Sequence, residues 1–99
     1  MASSPADGVK VTIFYSSVAG SLQVKKNQIR VENILAARKI EYKLVDVAAE
    51  EEERDFMQRK SGKISLPQIF VDGEYRGGPE ELEEANEDGE AEVRLFLGL

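Results

Sequence analysis

The side chains best placed for nucleophilic chemistry are serines, because the 99-residue chain has no Cys and no His. That absence removes disulfides, thiol redox chemistry, thiolate or imidazole metal sites and every Ser/His or Cys/His catalytic pair. Ser16 and Ser17 open a turn-like stretch that runs to Gly20, and Ser21 follows it. A serine hydroxyl attacks at neutral pH only beside a general base. The nearest bases in sequence are Lys25 and Lys26, and a lysine fills that role only when burial lowers its pKa. Both fall on the polar side of a helical repeat, so Ser21 reads as a helix cap and Ser16, Ser17 and Gly20 as a loop. No catalytic residue is expected. No metal site is expected either, since the acid-rich stretch 80–92 lacks the Asp-x-Asp-x-Asp-Gly spacing of a calcium loop.

The elements that hold this loop can be read on both sides of it. Val9, Val11, Ile13 and Tyr15 alternate with Lys10, Thr12 and Phe14, which predicts a central strand over 9–15. After the loop, Val24, Gln28, Val31, Ile34 and Leu35 recur at three- and four-residue steps, which predicts a helix from the Ser21 cap to about Lys39. A second strand over 42–47 then implies a parallel crossover. Residues 48–60 read as a second helix, with Glu50 to Glu53 at its start, Arg59 and Lys60 at its end and Gly62 as its stop. Phe56 and Met57 supply its buried contacts.

Pro67 precedes a third strand over 68–71, and Asp72-Gly73 predicts a two-residue hairpin into a fourth over 74–76. Pro79 suits a first helical turn, so a short acidic helix over 80–86 follows. A final helix spans 91–97 with Val93, Phe96 and Leu97 inward. The order βαβαββα with an extra C-terminal helix is that of an α/β thioredoxin-like sandwich, a four-stranded mixed sheet flanked by helices. Residues 9–99 form the single domain and 1–8 a flexible tail.

The run from Leu66 to Leu82, LPQIFVDGEYRGGPEEL, resembles the glutaredoxin segment in which a cis-proline precedes a strand and a Gly-Gly-x-acid-acid turn opens a helix. The chain is more closely similar to the Src-homology-3-domain-binding glutamic-acid-rich-like family, small glutaredoxin relatives. Val24-Lys25-Lys26, Pro67-Gln68-Ile69-Phe70, Tyr75-Arg76-Gly77 and the ending Phe96 to Leu99 carry that likeness.

The resemblance implies a ligand cleft formed by Ser16, Ser17, Gly20, Lys25, Leu66, Pro67, Gly78 and Glu80. Active glutaredoxins place Cys-x-x-Cys where this chain has Ser16 to Ser21, so the thiol activity is not expected to carry over. Pro67 takes the place of the cis-proline that exposes the backbone of Leu66 to a peptide or to glutathione. Gly78 stands where a helix N-terminus meets the γ-glutamyl carboxylate. Pro79 removes a donor there, and Glu80 and Glu81 add negative charge, so glutathione binding is expected to be weak at most and no cofactor is expected.

Charge and composition narrow the partners. Thirteen Lys and Arg against nineteen Asp and Glu give a net charge of −6. Residues 1–46 hold seven basic and four acidic side chains, and 47–99 hold six and fifteen. Such acidity argues against nucleic acid. The longest apolar run, Ile34 to Ala37, is far short of a membrane span. Pro5, Pro67 and Pro79 supply no Pro-x-x-Pro ligand for an Src-homology-3 domain. The expectation is a monomeric, non-catalytic adaptor in the cytoplasm or nucleus, and the alternative is a glutathione-binding or redox-related glutaredoxin homologue without thiol chemistry of its own. The adaptor binds proteins through the old substrate cleft or through the eight carboxylates of 80–92.

Overall fold

In the computed structural model, which describes residues 9–99, eight elements follow in the expected order. They are β1 (Val11–Tyr15), α1 (Leu22–Ala37), β2 (Tyr42–Asp46), α2 (Glu51–Ser61), β3 (Gln68–Val71), β4 (Glu74–Gly77), α3 (Pro79–Glu87) and α4 (Glu90–Leu97). The tail expected over 1–8 lies outside the described residues. The sheet order is β2-β1-β3-β4, with β1 parallel to β2 and antiparallel to β3, and β3 antiparallel to β4.

Strand alternation divides the core into two layers. Val11 and Ile13 of β1 and Ile69 and Val71 of β3 join Val31, Ile34 and Leu35 of α1, Leu82 of α3, and Val93 and Leu97 of α4. On the other face, Phe14 and Phe70 join Met57 and Phe56 of α2 and Tyr75 of β4. Phe14 and Phe70 meet edge to face with ring centroids 4.8 Å apart. The two central strands therefore carry apolar side chains on both faces, as the sequence of β1 predicts.

Several boundaries differ from the sequence reading, each for a local reason. β1 starts at Val11 rather than Val9; before it, the Lys10 carbonyl accepts a single bond from the Asp72 N–H. α1 stops at Ala37 because Lys39 adopts φ 58° and turns the chain, so that the Ile40 N–H returns to the Leu35 carbonyl and Ile40 is buried. Asp46, not Val47, ends β2, and α2 begins at Glu51 rather than Ala48. The reason is Asp46 itself: its side chain accepts the Ala48 N–H and its carbonyl accepts the N–H groups of Ala49 and Glu50. That turn uses up the residues expected to open the helix.

The remaining signals act as read. Ser21 caps α1 by accepting the Val24 N–H, and Gly62 ends α2 in the left-handed conformation. Asp72 and Gly73 both have positive φ, 53° and 81°, as a tight two-residue hairpin requires. β4 runs one residue further than expected, to Gly77, and α3 takes Pro79 as its first residue.

Candidate ligand cleft at Pro67

The segment between α2 and β3 is shaped by Gln68, whose side chain is buried although β3 is otherwise apolar. Its Nε2 donates to the carbonyls of Lys63 (3.1 Å) and Ser65 (2.8 Å) and so pins the loop that leads to Leu66. The Leu66-Pro67 peptide bond is cis. Among the described residues, neither the N–H nor the carbonyl of Leu66 has a backbone hydrogen-bond partner. Facing this segment is the N-terminus of α3. A cleft of about 230 Å³ lies between them, walled by Ser65, Leu66 and Pro67 on one side and by Gly78, Pro79, Glu80 and Glu81 on the other.

Electrostatically the cleft is divided. Lys63 reaches over the Tyr75 ring, 5.7 Å from its centroid, at one end. At the other, the Gly78 N–H donates to the Glu81 carboxylate at 2.9 Å, the back-reaching half of a capping box. That hydrogen bond is the main reason the Glu81 carboxyl is held below its ordinary value of 4.5, with its own backbone N–H and Lys63 adding to the effect. The first backbone donor of the helix terminus is therefore already taken by a carboxylate of the chain, and the next position, Pro79, has none. An incoming anion meets two negative side chains and a depleted set of donors.

The structure brings Leu66, Pro67, Gly78 and Glu80 together in this cleft, while Ser16, Ser17, Gly20 and Lys25 stand outside its walls. The loop 16–20 is tied to α1 and β2: the Ser16 N–H donates to Gln28 Oε1, the Ser17 N–H to Asp46 Oδ1 and, within the loop, the Val18 N–H to Ser16 Oγ. Ser17, through its side chain first and its N–H second, is also the chief cause of the lowered pKa of Asp46. Gly20 and Lys25 are exposed. Conversely Asn27, Lys63, Ser65 and Tyr75 line the cleft unforeseen. Tyr75 was within reach of sequence reasoning, since the hairpin register pairs it with Phe70. Lys63 carried no such signal, being one cation in a polar loop.

The mixed sheet, the helices on both its faces and the X-Pro bond at the start of β3 define a thioredoxin-like domain of the glutaredoxin kind. The dithiolic glutaredoxin 2-C-Grx1 of Trypanosoma brucei brucei superposes with a TM-score of 0.67 over 91% of this chain and 88% of its own, at 22% identity. Within that class the chain belongs to the SH3-binding, glutamic acid-rich protein family, whose profile matches residues 9–99. It is 36% identical over 99 aligned residues to the SH3 domain-binding glutamic acid-rich protein homolog of Drosophila melanogaster, covering 86% of this chain. It spans 63% of that relative's length. The actin interacting protein Aip5 of C. albicans superposes with a TM-score of 0.75 at 30% identity, over 89% of this chain and 87% of that structure.

Proposed function

We propose that this chain is a non-catalytic protein-interaction module whose cleft at Leu66 and Pro67 takes an extended segment of a partner. The observation that carries this reading is the backbone of Leu66, which has no backbone hydrogen-bond partner among the described residues and borders a cleft at the start of β3. Main-chain pairing of that kind supplies affinity, and the flanking side chains Lys63 and Tyr75 supply selectivity. Names support a binding role: the Drosophila relative is called SH3 domain-binding and the C. albicans protein actin interacting. Actin is accordingly the first partner to try.

A thiol oxidoreductase is not an option for a chain without cysteine. A glutathione-binding role competes with the proposal, but Pro79 and the Gly78–Glu81 bond weigh against it. The carboxylates of α3 and α4 then favour a partner that is basic where it lies alongside them, rather than making the contact in the cleft.

The test is a titration of isotope-labelled protein, followed by amide NMR, with reduced glutathione and separately with monomeric actin. The proposal expects no saturable change with millimolar glutathione, and actin-induced broadening centred on Leu66, Tyr75 and Gly78. Saturable glutathione shifts at Leu66 and Gly78 would replace it with the glutathione reading.

A further inference from the structure

α1 presents a second concave surface, beside the face that packs into the core. A groove of about 730 Å³ runs along it and against the end of α3. Its floor is apolar: Ile29 is 59% exposed, and Ile34 and Ala37 continue the stripe. Its rim is basic. Lys26, Arg30 and Arg38 line it, and no carboxylate does, although the chain as a whole carries a net charge of −6. Arg30 is bridged to Glu83 at 3.0 Å. Arg38 is held by neutral groups only: its Nε donates to Asn86 Oδ1 at 2.9 Å and its Nη2 to the Asn86 carbonyl at 3.2 Å. Among the described residues, neither Lys26 nor Arg38 is bridged to a carboxylate. Arg38 is thus fixed in place with its charge unbalanced.

From these features we infer that the groove docks an acidic, amphipathic helix of a protein partner, separately from the cleft at Pro67. Charge complementarity names the occupant: cations on the rim require carboxylates, and the Ile29, Ile34 and Ala37 floor requires an apolar face. Length agrees. From Lys26 to Arg38 the groove follows three turns of α1, about 18 Å at a rise of 1.5 Å per residue, which a helix of about 12 residues spans with anchors at i, i+3, i+4 and i+7. An anionic bilayer is a poorer match, because a flat surface reaching Arg30 would also approach Glu83, which is bridged to it. The net negative charge of the chain does not forbid the docking, since fields beyond about 8 Å are largely screened at physiological salt.

The experiment titrates the labelled full chain with a synthetic helical peptide carrying Leu at i, i+3, i+4 and i+7 and Glu elsewhere. Parallel arms use the same peptide with Lys for Glu, a peptide with Ser for Leu, and phosphatidylserine vesicles. The expected result is saturable shifts at Ile29, Asn33 and Ala37 with the first peptide alone. Affinity falls at least tenfold in Lys26→Glu and in Ile29→Ser, two exposed changes that leave the core untouched. Equal binding of the Lys or Ser peptide, vesicle binding through the same residues, shifts centred on Leu66 and Gly78, or no binding at all would each overturn the inference. Because the two sites report through different amides, a failure here is distinct from a failure of the cleft.

Discussion

Glu81 and Gln68 are the residues on which the cleft turns, and each acts through backbone groups. Glu81 accepts the Gly78 N–H, and its depressed pKa means that the ionised form is favoured by folding. Its contribution is therefore complete above the unfolded-state pKa and is lost as pH falls through the lower folded value. Glu81→Gln should cost about 0.5 kcal/mol near neutral pH, the low end for a cap because the side chain is exposed. The gap between variant and wild type should close as denaturant titrations are taken to pH values below 4.5. Gln68 poses a different balance. Its Nε2 satisfies two carbonyls, but its Oε1 is buried without a hydrogen-bond partner among the described residues. Removing both ends at once offsets two lost bonds, made to carbonyls of an exposed loop, against a relieved burial cost, so Gln68→Met should shift global stability by less than about 1 kcal/mol. Hydrogen exchange should nevertheless quicken at residues 63–66, whose loop loses its tie. Neither role was legible beforehand: Gln68 sits in an apolar strand with no pattern to mark it, whereas Pro67 and Gly78 could be placed by their motif.

At the scale of elements, the hydrophobic periods and turn residues carried most of the information, and side-chain hydrogen bonds moved the boundaries. Asp46 shortened α2 by taking three N–H groups that a helix reading had counted as helical. The loop 16–20 shows the same effect on function. Its position after β1 suggested a ligand wall, but Gln28 and Asp46 claim its donors from two other elements, a long-range outcome that local sequence does not encode. The joint between β4 and α3 was more readable. Gly77 has φ 156°, and a Cβ there would lie 3.0 Å from the Phe96 ring of α4. Gly77→Ala should destabilise by about 1–3 kcal/mol through overpacking. In a domain of this size that lowers Tm by roughly 5–20 °C in a thermal scan. Gly20→Ala, with nothing within 4 Å of the added carbon, should stay within about 0.5 kcal/mol.

Considered whole, the molecule keeps a thioredoxin-like frame and has no residue able to do thiol chemistry. What the frame still offers is a cleft with exposed backbone beside β3. Fold and family were legible because the Leu66 to Leu82 motif and the element order agree over nearly the full length. The membership of the cleft was only half legible, since Leu66, Pro67, Gly78 and Glu80 converge while the four residues around α1 do not. Gly78 provides the most direct test. Its φ of −118° suits any residue, and a Cβ there would meet Glu81 Oε1 at 3.5 Å and the Pro67 carbonyl at 3.7 Å, ordinary contacts. Threonine is about as good as glycine at a helix N-cap, so Gly78→Thr fills the cleft while keeping the fold. The decisive measurement is a selection of displayed random peptides on the wild-type chain, followed by affinity measurement on wild type and Gly78→Thr. An interaction cleft predicts peptides that lose at least tenfold in affinity on Gly78→Thr at unchanged Tm. Selected peptides that bind both proteins equally, or that reduced glutathione displaces, would contradict it.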